Sequence, residues 1–220
     1  MNPVSTGSKA VANPAQPIKL YRHPISGHCH RVELFLSLLN LPVEFIQVDL
    51  ASKAQKTPEF LAMNPFGQIP VIQDGATTLA DANAILVYLA HQYAPDDWLP
   101  HDPTQAAQVQ RWLSVAAGLL AFGPAAARVA VLFNAPINTV EAIARANNLF
   151  GVMEQTLSQT PFLVGSNPTL ADIANYSYIA RAPEGNVSLQ PYPNLRAWLA
   201  RIEALPGFVP MTTTIVGLVA

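Results

Sequence analysis

The chain has one cysteine in 220 residues, few charges and no long apolar run. A lone Cys29 excludes an intrachain disulfide and an all-cysteine metal site, and it suits a reducing cytoplasm. Only 12% of residues are charged, the net charge is −2, and the basic residues form no cluster. Nucleic acid and anionic membrane surfaces are therefore poor partners. No stretch reaches the roughly 18 uninterrupted apolar residues of a membrane helix. Residues 215–220 are apolar but far too short to span, and are expected to pack on the body or at a subunit interface. Residues 1–17 are small, polar and proline-bearing, without the apolar centre of a signal peptide, and read as a disordered leader.

What is present is greasy. Half of the residues are hydrophobic, ample for a core and more than a monomer's surface readily hides, so a protein partner is expected. Residues 18–21 read as a strand, and the turn Pro24-Ile25-Ser26-Gly27 follows. Val32, Phe35, Leu36 and Leu39 then recur at helical spacing, and residues 43–48 read as a second strand. Strand, helix and strand within about thirty residues predict a parallel βαβ unit. A short helical turn is expected after Pro58, a hairpin about Asp74-Gly75, and a helix from Asp81 to Tyr93 with Ala82, Ile85, Leu86 and Leu89 inward.

The pattern changes over residues 95–103, where three prolines and three aspartates mark a linker. Beyond it the spacing predicts helices only. Val109, Trp112, Leu113 and Ala116 mark the first, which Gly123-Pro124 is expected to kink or break. Another is expected over 138–158. Thr169 to Asp172 reads as a capping box, and Pro193 opens a helix with the stripe Leu195, Trp198, Leu199 and Ile202. The expected organisation is an α/β domain over 18–94, a linker over 95–103 and an all-helical domain over 104–220.

Three features point to chemistry. Pro70 opens a strand without an N–H to give, so it belongs at an edge or bulge. A cis Ile69-Pro70 bond would turn the Ile69 amide and carbonyl outward to pair an extended peptide; an ordinary trans edge proline is the alternative. Asp81 starts a helix whose free amides suit a carboxylate, while its own charge suits an ammonium; together they fit an α-amino acid head group. A plain N-cap aspartate explains the same residue.

Ser26 lies between strand and helix, where its hydroxyl and the helix end would favour a ligand thiolate; an N-cap serine is again the alternative. A free thiol has a pKa near 8.5, so lowering it by ~2 units needs roughly 2.7 kcal/mol. Cys29, three residues on, reads as a packing residue. His23, His28 and His30 fit no common zinc spacing and read as a polar, turn-rich surface; no metal is expected.

The run Asn64-Pro65-Phe66-Gly67-Gln68-Ile69-Pro70-Val71-Ile72, followed by Leu79-Ala80-Asp81-Ala82-Asn83 and by Thr169-Leu170-Ala171-Asp172-Ile173, resembles the cytosolic glutathione S-transferase superfamily. The likeness runs from about residue 18 to 208. Pro24-Ile25-Ser26 with Arg31-Val32 is most similar to the serine-type phi and theta-like members. The resemblance implies a thioredoxin-like domain with a mixed four-stranded sheet and a cis Pro70, joined to an all-α domain. It implies Ser26 as the thiol-activating residue, Gln55 and Lys56 at the glycyl end of glutathione, Gln68 and Ile69 beside Pro70 at its middle, and Asp81 and Ala82 at the γ-glutamyl head. It also implies a homodimer and a small hydrophobic electrophile as second substrate.

Two residues depart from the family pattern. Ala82 lacks the hydroxyl usual there, a loss of about 1.5–3 kcal/mol for a hydrogen bond to a charged group. Gln55 stands where the family has histidine. Phe122, Arg128 and Tyr178, with Leu119 and Phe133, are expected to line the acceptor pocket between the domains. The expected activity is addition of the glutathione thiolate to an electrophile. The alternatives are a glutathione-dependent reductase or peroxidase, and a non-catalytic interaction module.

Overall fold

The computed structural model describes residues 13–94 and 98–218. The first 12 residues of the expected leader, residues 95–97 of the expected linker and the last two residues of the tail lie outside that range.

Four strands form one sheet in the order β2-β1-β3-β4. β1 (Ile18–Arg22) runs parallel to β2 (Val43–Gln47); β3 (Val71–Asp74) is antiparallel to both β1 and β4 (Thr77–Ala80). α1 (Gly27–Leu38) makes the crossover between β1 and β2, α2 (Pro58–Met63) precedes β3, and α3 (Ala82–Tyr93) follows β4.

Alternation along the strands decides which face meets which helix. Ile18, Leu20 and Ile72 join the main core with Val32, Phe35 and Leu36 of α1 and Ile85, Leu86 and Leu89 of α3. Their neighbours Tyr21, Val71 and Ala80 point the other way, onto Phe60 and Met63 of α2. α1 departs from a one-sided stripe: Leu34 is as fully buried as Phe35, while Leu39 is only half-buried. The reason is a second neighbour, because α1 is packed between the sheet and helix α7 (Leu170–Ala180).

Beyond α3 the described regular elements are helical apart from the isolated bridge Phe162–Gly165. α4 (Pro103–Val115) does not break at Gly123-Pro124. It passes through a π-helical stretch, Ala116–Ala125, into α5 (Ala126–Phe133), one continuous run of 31 residues. The wider π turns carry Pro124, whose ring would collide with the preceding turn of an α-helix and which has no N–H to donate. Gly123 is needed for another reason: a Cβ there would lie 3.0 Å from the Ala146 amide of α6 (Thr139–Leu157). By length and composition this long helix could cross a membrane, but it packs on α6 and α7, and 44% of its most apolar window is buried in the body.

The capping box at Thr169 is formed. Asp172 accepts the Thr169 amide at 2.8 Å, and also the Leu163 amide and the Trp198 indole N–H, each at 2.9 Å. It thereby ties α7 to α8 (Pro193–Glu203). Leu195, Trp198, Leu199 and Ile202 of α8 are buried as their spacing predicts.

Candidate active site

A cleft of about 680 Å³ opens at the end of the sheet, where α1 and α3 begin. Gln55, Gln68, Ile69, Pro70, Asp81 and Ala82, six positions singled out from the sequence, line it together. The Ile69-Pro70 bond is cis. Ladder pairing of β3 begins only at Val71, so Ile69 stands outside the sheet at the cleft wall.

The loop before it is held from within. Asn64, 3% exposed, donates from its side chain to the Gln68 carbonyl at 2.7 Å and accepts the Phe66 amide at 3.1 Å. Lys56 Nζ donates to the Phe66 carbonyl at 3.0 Å. Gly67 adopts φ +58, and a Cβ there would lie 2.7 Å from both the Gln55 carbonyl and Lys56 Nζ. Gln55, Lys56 and the loop over residues 64–68 are thus one packed unit. Gln55 adds an open acceptor, since its buried Oε1 has no partner among the described residues.

At the opposite end, Asp81 is the N-cap of α3 and accepts the Asn83 and Ala84 amides, each at 2.9 Å. This corrects the expectation that the Asn83 amide is free for a ligand: the carboxylate takes it first. Asp81 nonetheless lines the cleft, at φ +72.

Beneath it lies Arg31, 1% exposed, whose Nη1 donates to Asn83 Oδ1 at 2.8 Å and whose Nε and Nη2 have no partner among the described residues. Burial lowers its pKa to about 10, opposed by the nearby Tyr178 and Asp81, so it stays a cation at neutral pH. Sequence reasoning gave Arg31 no role. Its signal was an arginine set inside an otherwise apolar helical stripe.

Ser26 caps α1, its Oγ accepting the Cys29 amide at 3.3 Å. The first turn of α1 carries no acidic residue to cancel its positive end. Ser26 is half-buried, and its near neighbour His28 lines the cleft.

The histidines do not form the polar surface expected of them, because α7 covers this end of α1. His28 packs edge-on against Tyr178 with ring centroids 5.0 Å apart; burial, with Arg31 nearby, lowers its pKa to about 3. His30, 2% exposed, bonds Ser177 Oγ at 2.8 Å and the Val209 carbonyl at 3.0 Å. Cys29 is 1% exposed, and burial raises its thiol to about 11. Among the described residues no group of three His, Cys, Asp or Glu side chains could hold a metal ion.

Phe122, Arg128 and Tyr178 do not meet around one cavity. Phe122 lines a groove with Arg111, Gly118 and Leu119, apart from the cleft, and is 62% exposed. Phe133 is also exposed. Arg128 is buried; its Nε donates to Glu184 and its Nη1 to the Ile25 carbonyl, and its Nη2 has no partner among the described residues. Tyr178 alone lies by the cleft, its ring so close over Gly27 that a Cβ would come within 2.7 Å.

A thioredoxin-like sheet with a cis proline at its cleft, backed by a helical domain, defines the class of two-domain thiol-peptide binders. The comparisons name the family. The profile described as glutathione S-transferase, N-terminal domain, matches residues 25–92, and that for the C-terminal domain matches residues 116–206. Glutathione S-transferase 3 of Zea mays is 36% identical over 212 residues, 87% of this chain and 91% of the relative. Glutathione S-transferase theta-1 of Mus musculus is 30% identical, covering 86% and 84%. The crystal structure of a glutathione S-transferase from Pseudomonas fluorescens superposes with a TM-score of 0.84 at 35% identity, covering 90% of this chain and all of that one. The chain belongs to the glutathione S-transferase family.

Proposed function

We propose that this glutathione transferase is of the serine type: the Ser26 hydroxyl donates a hydrogen bond to the sulfur of bound glutathione, whose own proton passes to solvent, and the thiolate attacks a small hydrophobic electrophile. The observation that carries the reading is the Ser26 hydroxyl at the start of α1. Its oxygen is engaged as a cap, and its hydroxyl already favours the thiolate form of the neighbouring Cys29 sulfur, the interaction a ligand thiol would take over. A hydrogen bond to a charged acceptor contributes about 1.5–3 kcal/mol and a helix N-terminus about 0.3–1 kcal/mol more. Their sum brackets the roughly 2.7 kcal/mol that lowering a thiol by ~2 units requires.

In this reading glutathione lies extended along the cleft. Gln55 and Lys56 hold its glycyl end, the Ile69 backbone beside Pro70 pairs its middle with Gln68 adjoining, and the γ-glutamyl head meets Asp81 and the Ala82 amide. Asp81 faces the ammonium, and the Arg31 charge beneath offsets the cost of bringing the carboxylate to the same place. Of the acceptor-side candidates Tyr178 is favoured, since its ring packs on His28, which lines the cleft. A Cys29-dependent reductase is disfavoured, because that thiol is buried and stays protonated.

We also propose a homodimer. Phe66, Leu119, Phe122 and Val152 are each more than half exposed. Leu119 and Val152 border an apolar cavity of about 370 Å³ between α4 and α6. A partner covering this face would remove that surface from water. Sedimentation at micromolar concentration should give twice the chain mass.

The catalytic proposal is tested by calorimetry with glutathione and by conjugation of chlorodinitrobenzene. Saturable binding without conjugation of any electrophile would favour a non-catalytic module. Hydroperoxide turnover without conjugation would favour the reductase or peroxidase.

A further inference from the structure

Behind the catalytic loop, the last described residues form a strap across both halves of the molecule. The Gly207 carbonyl accepts Ser37 Oγ of α1 at 2.7 Å, and the Val209 carbonyl bonds His30 at 3.0 Å. The Met211 carbonyl then accepts Arg181, and the Leu218 amide donates to the Pro183 carbonyl at 2.9 Å. Gly217, at φ +75, lets the strap lie so close to the turn Ala182–Gly185 that a Cβ would come 2.5 Å from the Glu184 carbonyl. Gly185 does the same on the other side, where a Cβ would sit 2.5 Å from the Arg128 amide. Glu184 is thus wedged between strap and α5, 5% exposed.

Its carboxylate is fully used. Thr214 donates to it twice, from Oγ1 to Oε2 at 2.7 Å and from its amide to Oε1 at 3.1 Å. Arg128 Nε donates to the same Oε2 at 2.7 Å. Arginine often answers a carboxylate with both prongs of its fork. Here the fork divides: Nη1 reaches across to the Ile25 carbonyl at 2.9 Å. Ile25 immediately precedes Ser26, and the Ser26 amide closes the same turn onto the His23 carbonyl at 3.0 Å.

We propose that Thr214, Glu184 and Arg128 are positioning residues, a relay by which the C-terminal strap fixes the Ile25 carbonyl and so aims the Ser26 hydroxyl. Thr214 sets the Glu184 carboxylate, the carboxylate sets the guanidinium plane, and the guanidinium pins the loop. An ion pair serving only to join α5 to its neighbouring turn would have no use for the prong that leaves Glu184. The inference rests on Ser26 as the thiol-activating residue, but the geometry of the loop is measurable without that reading.

The experiment uses the full chain with Thr214→Val, which removes one donor at a half-buried position, and Thr214→Ser, which keeps it. Two readouts are taken: the ultraviolet titration of the thiolate of bound glutathione, and hydrogen exchange of a peptide spanning residues 23–30. The relay predicts faster exchange over 23–30 in Thr214→Val and a bound thiol raised by about half a pKa unit. It also predicts kcat lowered about fivefold with KM for glutathione within about twofold, and recovery in Thr214→Ser. Unchanged exchange over 23–30 with an unchanged thiol titration, whatever happens to the melting temperature, would overturn it. Should the wild type form no thiolate, the Ser26 reading falls. The exchange result then decides the relay by itself: faster exchange supports it and unchanged exchange ends it.

Discussion

Ser26 Oγ lies 3.3 Å from the Cys29 amide, so the hydroxyl caps the same first turn of α1 whose His28 lines the cleft. Capping and activation are compatible because they use different parts of the group. The oxygen accepts from the helix, and in this account the proton turns from the Cys29 sulfur to that of the ligand. The same pairing gives Cys29 its role: its amide anchors the serine while its thiol is buried.

That division predicts the behaviour of Cys29→Ala. The thiol, pushed up to about 11 by burial, is protonated at neutral pH and is expected to take no part in the conjugation. The variant should conjugate glutathione within about twofold of the wild type and lose roughly 1 kcal/mol of stability from the small cavity. Steady-state kinetics and urea denaturation check both. Loss of turnover in a well-folded variant would return Cys29 to the mechanism.

Ala82 marks the weak end of the cleft. It borders the cavity at the first turn of α3 and offers only its amide. Ala82→Ser supplies the missing hydroxyl, and glutathione binding should tighten about tenfold, the effect of one hydrogen bond to a charged group. Calorimetry reads the constant directly; an unchanged affinity would show that the γ-glutamyl carboxylate lies elsewhere.

Gly67 predicts a loss at the other end. Its φ of +58 costs a side-chain-bearing residue roughly 1–2 kcal/mol, and the new Cβ would press on Gln55 and Lys56. Gly67→Ala should raise KM for glutathione more than it lowers kcat. A variant with wild-type KM would separate the 55–56 turn from glutathione binding.

His30 should make stability fall in acid. Burial chiefly lowers it to about 4, with the cations of Arg181, Arg22 and Arg31 adding to the fall and the Val209 bond opposing it. Between that value and the ordinary 6.5, the unfolded chain holds a proton that the native chain lacks. The stabilisation is therefore complete above pH 6.5 and is lost as pH falls toward 4, by roughly 3 kcal/mol in all. Denaturation at about pH 7.5 and about pH 4.5 should show a steeper loss for the wild type than for His30→Asn. Parallel losses would contradict the assignment.

The fold was readable because its signals are local. The stripes of α3 and α8, the capping box at Thr169 and the hairpin at Gly75 each lie within one element. Five of the six cleft residues were readable because the segment about Ile69-Pro70 and the start of α3 carry them in short runs, and Gln55 came from the resemblance. What escaped depends on packing between distant segments. His28 and His30 look solvent-facing until α7 covers α1. Arg128 looks like a pocket residue until Glu184 and the Ile25 carbonyl are brought to it from 56 residues downstream and 103 upstream. Of the kink or break foreseen at Gly123-Pro124, the break did not occur, because π turns take in a proline that an α-helix cannot.

The central claim is that the Ser26 hydroxyl holds the thiolate, and its most direct test is the pH titration of bound glutathione, followed by ultraviolet absorbance, in wild type and Ser26→Ala. The wild type should ionise about 2 units below the free thiol. Ser26→Ala should return most of that shift and lower kcat about 10- to 100-fold while still binding glutathione. A Ser26→Ala protein that titrates and turns over like the wild type would contradict the account.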